Sequence, residues 1–206
     1  MGQEHYFSSK PTTRHDAKTI EVVLRGYKIR LKTDAGVFSK NQVDFGTRLL
    51  IECMDIPNGS SVSILDLGCG YGPVGIVAAK LAPDSQVVMV DVNERAIELS
   101  AENVRNNQVT NAIVKISDLY QNVQGRTFQR ILSNPPIRAG KKVVHQIFEE
   151  ASNYLTDDGE LWIVIQKKQG APSAKKKLEE LFVEVNDIGR DAGYRIFQAR
   201  GKKQVE

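Results

Sequence analysis

The run Asn134-Pro135-Pro136-Ile137 combines hydrogen-bond acceptors with a restrained backbone. Proline fixes its own φ angle, has no N–H to donate, and favours an extended conformation in the residue before it. We therefore expect the proline carbonyls to stay free to accept hydrogen bonds. The Asn134 side chain adds another carbonyl. Such a segment suits a ligand group that donates two N–H bonds, as a planar amine does.

An amine on an aromatic ring has two N–H donors and a lone pair that is delocalised into the ring. If the Asn134 side chain and the Pro135 carbonyl accept both hydrogens, the nitrogen is held in place and becomes more pyramidal. Its lone pair can then attack an electrophile in line. This is catalysis by orientation and electrostatics, and it needs no nucleophilic side chain. A simple turn is the alternative interpretation, because Asn-Pro often begins turns.

A second motif is rich in glycine and follows an apolar run, in the order Asp66-Leu67-Gly68-Cys69-Gly70-Tyr71-Gly72. Glycine has no Cβ atom, so the backbone can turn tightly and approach a ligand. Pro73 stands where the dinucleotide-binding pattern requires its third glycine. The Asp66 carboxylate would repel a pyrophosphate but suits an ammonium group. S-adenosylmethionine carries an ammonium and no phosphate, so we expect this segment to bind that cofactor.

Polar residues also follow the next two apolar runs, as Asp91-Val92-Asn93 and as Ser117-Asp118. An acidic side chain at the end of the second strand can accept both hydroxyls of a ribose. A polar side chain after the third strand can reach an adenine amine. Helix capping or a turn is the alternative for Asp91 and Asp118. Because these residues follow the glycine-rich segment in order, we expect Asp91, Val92, Asn93 and Asp118 to contact the cofactor.

The motifs lie in a regular alternation of segments typical of strands and helices. Short apolar runs alternate with longer segments whose apolar residues have helical spacing, which predicts a parallel sheet with helices on both faces. The predicted strands are Val62–Asp66, Gln86–Asp91, Ala112–Ile116, Arg130–Ser133 and Glu160–Ile165. The predicted helices are Pro73–Leu81, Glu94–Asn107, Val143–Leu155 and Ala174–Phe182.

Hairpins are predicted at both ends of this alternation. Near the amino end, Glu21–Leu24 and Lys28–Lys32 flank a turn and precede a helix over Val43–Met54. Near the carboxyl end, a turn from Gly189 to Gly193 joins Val183–Ile188 to Tyr194–Ala199. We therefore expect one domain over residues 1–206, with an extension up to about residue 40 and a catalytic core over about 41–200.

The composition is that of an ordinary globular protein, with 41% hydrophobic and 26% charged residues in 206. No apolar run is long enough to cross a bilayer, and residues 1–10 lack the apolar centre of a signal peptide. We therefore expect a cytoplasmic protein that does not associate with membranes. The 2 cysteines and 3 histidines have no spacing typical of disulfides or of a metal site.

The net charge is only +3, but lysines cluster in the carboxyl-terminal half, at Lys141-Lys142, Lys167-Lys168, Lys175-Lys176-Lys177 and Lys202-Lys203. For any single cluster, a solvated surface is the simpler interpretation. Several clusters on one rim would form a phosphate-binding surface. The sequence leaves this convergence open, and it leaves the oligomeric state open as well.

The motifs together resemble a known family. Its glycine loop, acidic residue and amine-binding motif are matched by Asp66-x-Gly68-x-Gly70, Asp91 and Asn134-Pro135-Pro136-Ile137. These look like class I S-adenosylmethionine-dependent methyltransferases of the small (MTS) type. The cofactor-capping segment of 16S rRNA guanine-N2 methyltransferases is resembled by Gly36-Val37-Phe38-Ser39 with Asp44-x-Gly46-Thr47. The likeness extends from about Tyr6 to Ala199.

This resemblance implies a Rossmann-like fold with a mostly parallel, seven-stranded sheet whose last strand is antiparallel. It implies S-adenosylmethionine as the cofactor, 16S rRNA or the 30S subunit as the partner, and N2 of a guanine as the target. In this chain, Asn134 would hold the amine and Pro135 would supply a carbonyl. Asp91 would bind ribose, while Phe38 and Thr47 would lie near the cofactor.

Two departures from the family pattern leave the target open. The larger rRNA enzymes carry a duplicated amino-terminal domain, so RNA recognition here would depend on the hairpin, the lysines or a partner. Ile137 stands where an aromatic residue often follows the prolines, and it can contact a flat ring only by dispersion. The alternatives are transfer to adenine N6, to protein glutamine or to a small molecule, a Rossmann-type dehydrogenase, and a non-catalytic ribosome-associated RNA-binding protein.

Overall fold

The computed structural model describes residues 13–56 and 61–203. The expectation for residues 1–10 and the start of the likeness at Tyr6 lie outside these ranges. In chain order, the elements are β1 (Lys18–Leu24), β2 (Tyr27–Thr33), α1 (Phe45–Cys53), β3 (Ser63–Leu67), α2 (Pro73–Leu81), β4 (Gln86–Asp91), α3 (Glu94–Asn106), β5 (Ala112–Ile116), β6 (Phe128–Ser133), α4 (Lys141–Tyr154), β7 (Leu155–Gln166), α5 (Ala171–Leu181), β8 (Phe182–Asp191) and β9 (Tyr194–Lys202).

Seven strands form one sheet in the order β5-β4-β3-β6-β7-β9-β8. Neighbours from β5 to β7 are parallel, and β9 runs antiparallel to both β7 and β8. The expected mostly parallel sheet with an antiparallel last strand is confirmed. The strand order reverses at β3, which has β4 on one side and β6 on the other. In such a sheet, a crevice opens at the carboxyl ends of the strands on either side of this point.

The sheet is buried on both faces, which explains why its strands are almost continuously apolar. Alternate side chains along a strand point to opposite faces, so Ile64 and Leu132 belong to one hydrophobic cluster and Leu65 and Ile131 to the other. Helices α1, α2 and α3 cover the first face, and α4 and α5 cover the second. None of the helices in the described ranges is long and apolar enough to span a membrane.

The hairpin of β1 and β2 is joined to the core by Asn103 of α3 and by Asn107, which caps the end of that helix. Asn103 exchanges hydrogen bonds with the backbone of Lys32, at 2.7 Å to N and 2.9 Å to O. Asn107 does the same with Arg30, at 3.0 and 2.8 Å. Each side-chain amide therefore pairs with the backbone N–H and C=O of one β2 residue, as a neighbouring strand would. This contact fixes where the chain leaves β2 and begins the segment that passes over the crevice.

The carboxyl-terminal hairpin differs from the expected one. Its turn contains only Ala192 and Gly193, both with positive φ, rather than the whole span from Gly189. Gly189 lies inside β8, where the register with β9 shifts. A Cβ atom there would stand 2.7 Å from the Cys53 sulfur, so this glycine permits close packing on α1 and does not form a turn.

Candidate active site

A cavity of about 280 Å³ opens in the crevice at the carboxyl edge of the sheet. The glycine-rich segment, the ends of β4, β5 and β6, and part of the chain between β2 and α1 line it. Four carboxylates contribute to the lining, from Asp44, Asp66, Asp91 and Asp118. Within the described ranges, no lysine, arginine or histidine lines it. An acidic cavity of this kind suits a cationic ligand and opposes a pyrophosphate.

The glycine-rich segment brings backbone to the cavity wall. Gly68 and Gly70 have φ of 76° and 56°, and a Cβ atom at either position would meet only open space. The amides of Gly68 and Cys69 donate to the Val90 carbonyl at 2.8 and 2.9 Å, which holds the loop against β4. At both positions the backbone adopts a conformation that favours glycine, and no side chain keeps a ligand away from the main chain.

Gly72 was expected to contact the cofactor, but its position in the structure gives no support to this prediction. It does not line the cavity, and it begins α2 with φ of 101°. A Cβ atom there would stand 2.7 Å from the Ser100 hydroxyl and 2.9 Å from the Met89 methyl. Gly72 therefore allows the loop to pack against α3 and β4, on the side away from the cavity.

Asp66 lies in the cavity wall but is only 2% exposed. Its Oδ2 accepts a 2.8 Å hydrogen bond from the Gly75 amide. Burial raises the pKa of Asp66 to about 7, the Gly75 N–H opposes the shift, and the charge of Asp91 adds to it. A ligand ammonium beside this carboxyl would favour its ionised form.

Asp91 also lines the cavity, and both of its oxygens already accept backbone amides. Oδ2 accepts from Gly70 and Oδ1 from Asn93, each at 2.9 Å. Burial raises the pKa of Asp91, and these amides oppose the shift. Each carboxylate oxygen keeps a second lone pair, so the side chain can still accept the two hydroxyls of a ribose. Asp91 also fixes the glycine loop, a structural role that we did not expect.

Three other residues expected near the cofactor line the cavity, namely Val92, Asp118 and Cys69. The Cys69 thiol has a raised pKa, because it is buried and lies near the Asp66 and Asp91 charges. The thiol therefore stays protonated and contributes a small uncharged side chain to the cavity lining. In the described part of the chain, no three His, Cys, Asp or Glu side chains are arranged so that they could hold a metal ion.

Asn93 was also expected to bind the cofactor, and the structure places it elsewhere. Its side chain is buried, and it does not contribute to the cavity lining. Oδ1 accepts from the Ala96 amide at 3.1 Å and caps α3, while Nδ2 donates to the Gly36 carbonyl at 2.9 Å. Asn93 therefore ties α3 to the chain segment that leads to Val37 and Phe38, both of which line the cavity.

Asn134 follows β6, and its side-chain amide is held from one side. Nδ2 donates to the Thr47 hydroxyl at 2.9 Å and to Asp44 Oδ1 at 3.4 Å. Asp44 caps α1 by accepting the Thr47 amide at 3.2 Å. Thr47 lines the cavity as expected, but its contact with Asn134 was not foreseen. The arrangement leaves Asn134 Oδ1 available to a ligand amine.

The prolines that follow do not form the open, extended segment that we expected. The Pro135 carbonyl accepts from the Ile137 amide, and the Pro136 carbonyl accepts from the Ala139 amide, both at 2.9 Å. The chain turns here into a short 3₁₀ helix over Ile137–Ala139, and amides of this helix donate to the two proline carbonyls. Each proline carbonyl therefore keeps one lone pair for a ligand, not two.

A second cavity of about 330 Å³ adjoins the first and shares five lining residues with it, namely Val37, Phe38, Asp44, Asn134 and Pro135. Its remaining lining is Ser39, Ile137, Arg138, Gln169 and Tyr194. Asn134 thus stands where the two spaces meet. An amine that enters from the second cavity meets the Asn134 carbonyl and faces the first cavity.

Tyr194 is a wall of the second cavity that the sequence motifs did not reveal. It begins β9 and packs over α1, where a Cβ atom on Gly46 would stand 2.8 Å from its ring. Its ring centroid lies 5.6 Å from that of Phe45. Tyr194 is remote from Asn134 along the chain, so no local pattern could have linked the two residues.

The sheet order, the acidic crevice and the amide at its edge define a class I S-adenosylmethionine-dependent methyltransferase. The carboxylates and open glycine backbone of the first cavity fit that cofactor. The model of the methyltransferase small domain family matches residues 28–198, and the chain belongs to this family.

The chain is similar to relatives of two lengths. It is 52% identical over 198 residues to YbxB of Bacillus subtilis (strain 168), which is described as an uncharacterized protein, over 96% of this chain and 98% of the relative. It is 35% identical over 175 residues to the ribosomal RNA small subunit methyltransferase C of Hamiltonella defensa, over 83% of this chain and 50% of that protein. The chain spans about half the length of the relatives of that name.

A solved structure has the same fold. It is a T. thermophilus 16S rRNA N2 methyltransferase in complex with AdoMet and guanosine, and its TM-score against this chain is 0.81. The two chains are 23% identical, and the match covers 93% of this chain and 52% of the other. At this identity, the similarity supports the architecture alone.

Proposed function

We propose that this enzyme methylates N2 of a guanine in 16S rRNA, as free RNA or within the 30S subunit, in the cytoplasm. The observation that carries the proposal is the Asn134 amide, which Thr47 and Asp44 hold at the junction of the two cavities. The relatives named ribosomal RNA small subunit methyltransferase C support the choice of substrate.

Residues of the first cavity would bind the cofactor, which supplies a methyl group on a sulfonium. Asp66 accepts hydrogen bonds from the ammonium of the amino-acid part, and Asp91 accepts them from the ribose hydroxyls. Asp118, at the end of β5, accepts from the adenine amine. The exposed backbone at Gly68 and Gly70 lets the ligand lie directly on the loop. These residues would hold the cofactor in the cavity that Asn134 also lines.

Residues of the second cavity would hold the target amine. Asn134 Oδ1 accepts one N–H, and the remaining lone pair of the Pro135 carbonyl accepts the other. These two acceptors would hold the nitrogen with its lone pair on the side of the first cavity, where the bound cofactor would supply the methyl group. The product nitrogen is cationic and loses a proton to solvent, because an ammonium on an aromatic ring is a strong acid. Positioning therefore provides the catalysis.

A guanine must leave its stack to reach this position, because Asn134 lies inside the crevice. Phe38 and Tyr194 line the space that the base would enter, and both offer flat rings. They supply the aromatic surface that Ile137 lacks after the two prolines. The second cavity is thus able to hold a planar base without an aromatic residue in the motif.

Nucleoside mass spectrometry of rRNA tests the proposal. A strain that lacks the gene should lose one N2-methylguanosine from 16S rRNA. The wild-type gene should restore it, whereas Asn134→Ala should not. With purified protein, labelled cofactor should mark 30S subunits or 16S rRNA when tRNA, DNA and protein fractions are assayed beside them. Label in protein alone, or full activity of Asn134→Ala on rRNA, would refute the proposal.

A further inference from the structure

We infer that five cations in the segments that follow β6 and β7, beside the two cavities, bind the sugar–phosphate backbone of RNA on either side of the methylated nucleotide. This basic rim consists of Arg138, Lys141, Lys142, Lys167 and Lys168. The inference rests on the proposed RNA substrate. It assigns the recognition of RNA to particular residues, all of which lie within this chain.

The topology brings the two halves of the basic rim together. Strands β6 and β7 are parallel neighbours, so the segments that follow them leave the sheet at the same edge. The first segment contains Arg138, and the second contains Gln169 directly after Lys167-Lys168. Arg138 and Gln169 line the same cavity. The Lys167 amide donates to the Gly193 carbonyl at 2.7 Å, which anchors the second segment beside Tyr194.

The charges of the basic rim are available to a ligand. All five side chains are exposed, and none forms an ion pair with another part of the described chain. Helices α4 and α5 also begin at this edge, after Gly140 and Gly170, without side-chain caps. Their free N–H groups add partial positive charge next to the lysines.

In the other two lysine clusters, four of the five lysines contact other parts of the chain. Lys175 pairs with Glu179 at 3.4 Å, and Lys177 pairs with Glu149 at 2.7 Å. Lys202 donates to the Asn153 side chain at 2.8 Å, and Lys203 donates to the Glu179 carbonyl. Because β9 is antiparallel, its carboxyl end lies at the edge of the sheet opposite the cavities. The clusters Lys141-Lys142 and Lys167-Lys168 instead lie in the segments that follow the parallel strands β6 and β7, at the edge of the sheet where the cavities open.

The distribution of charge favours a nucleic-acid backbone as the ligand. The lining of the first cavity is acidic and suits the cationic cofactor, whereas Arg138 lines the second cavity and the four lysines of the basic rim lie in the segments beside it. A nucleotide whose base enters the second cavity leaves its own and neighbouring phosphates outside, next to these segments. Lysine and arginine there would neutralise phosphates without reading the bases, which is the usual basis of affinity for RNA and DNA.

Paired-lysine variants test the inference, with Lys141→Ala/Lys142→Ala and Lys167→Ala/Lys168→Ala compared with Lys202→Ala/Lys203→Ala. All three remove two positive charges. We expect each rim variant to bind transcribed 16S rRNA roughly tenfold more weakly at low salt, and the control to bind normally. The slope of log K against log salt should fall by about one per lost phosphate contact. Cofactor affinity, measured by calorimetry, should be unchanged in all three.

Further variants and assays separate the outcomes. Lysine-to-arginine pairs at the same positions should keep RNA affinity, and melting temperatures show whether each variant is folded. Equal salt slopes for rim and control variants, with RNA still methylated by the wild type, would overturn the basic rim and leave the proposed function standing. Methylation of protein alone would refute the proposed function. If the rim variants then weakened binding of that protein, the ligand of the rim would be an acidic protein and not RNA.

Discussion

At the scale of single residues, the orientation of one amide matters most. An asparagine amide can present either its carbonyl or its NH₂ group to a ligand. Asp44, as a carboxylate, can only accept hydrogen bonds, so the NH₂ group of Asn134 must face it. Thr47 accepts from the same group at 2.9 Å. The carbonyl therefore faces the ligand, and this is the orientation that binding a donor amine requires.

Thr47→Val should lower kcat by about tenfold, because it removes one hydrogen bond that orients Asn134 at nearly constant side-chain volume. KM for the cofactor should change little. Thr47→Ser, which keeps the hydroxyl, is the matched control and should retain activity. Steady-state kinetics with labelled cofactor measures the difference. An unchanged kcat in Thr47→Val would show that the hydrogen bond does not orient the amide.

Asp66 should make cofactor binding depend on pH. Burial raises its pKa to about 7, so a proton competes with the ligand ammonium for the carboxylate. We expect affinity to fall as the pH decreases below about 7, by at most tenfold per pH unit. Calorimetry in buffers with different ionisation enthalpies should detect proton release on binding in the same range.

Asp66→Asn is the control for this prediction, because an amide does not titrate in this range. Its affinity should be weaker than that of the wild type at neutral pH and nearly constant between about pH 5 and 7. If the wild type showed the same flat profile, Asp66 would not be the group that binds the ammonium.

At the scale of elements, the loop between β3 and α2 contains glycines with different structural roles. Gly68 and Gly70 have open space where a Cβ atom would stand. A Cβ atom on Gly72 would instead stand less than 3.0 Å from the side chains of Ser100 and Met89. The first two keep the cavity wall clear, and the third lets the loop pack on its neighbours. All three have positive φ, so the backbone conformation alone does not distinguish them.

Gly72→Ala and Gly68→Ala should therefore have different consequences. Gly72→Ala should destabilise the fold by about 2–4 kcal/mol, since it adds overpacking to backbone strain. Gly68→Ala should cost only about 1–2 kcal/mol of strain, but its methyl group enters the cavity and should weaken cofactor binding. Urea denaturation and calorimetry measure the two effects. Equal losses of stability, with equal cofactor affinities, would contradict this division.

At the scale of the whole molecule, the second cavity is assembled from parts of the chain that are far apart in sequence. Asp44 precedes α1, Asn134 follows β6, Gln169 precedes α5 and Tyr194 begins β9. Gly46 leaves room for the Tyr194 ring, so α1 and the carboxyl-terminal hairpin depend on each other here.

Tyr194→Ala should raise KM for the RNA acceptor by roughly tenfold, because stacking of a base on an aromatic ring contributes about 1–3 kcal/mol. Tyr194→Phe keeps the ring and should behave like the wild type. Cofactor affinity should be the same in both variants, since Tyr194 does not line the first cavity. Acceptor KM values that are equal for the alanine and phenylalanine variants would exclude a role in stacking.

Local patterns predicted the parallel part of the sheet, whereas its seven strands and antiparallel last strand were implied by the family resemblance. Helix α2 and strands β4 and β5 begin and end where apolar periodicity and an opening proline predict. The parallel sheet follows from their alternation, because a crossover between parallel strands needs a long connection and usually contains a helix. The positions of Asp66, Asp91 and Asp118 in one cavity follow in turn, since the carboxyl ends of parallel strands meet at one edge.

The positions of other candidates could not be predicted from the sequence. Gly72 and Asn93 stand one or two residues from cavity-lining positions, yet they face away from the cavity. A tight loop changes the direction of successive residues, and motif membership does not specify that direction. Pro135 and Pro136 likewise have the expected place after β6, but their carbonyls are engaged by the turn that follows.

The sequence by itself determined two features of this protein, the parallel sheet with its acidic glycine loop and the Asn-Pro-Pro segment at the end of a central strand. Both depend on residues that are close in the chain, so periodicity and spacing encode them. Only the tertiary structure decided which way the Asn134 amide faces, that Tyr194 lines the second cavity, and which lysine clusters follow the strands that end beside it. These features depend on contacts between distant segments, and only the packing of the whole chain brings such segments together.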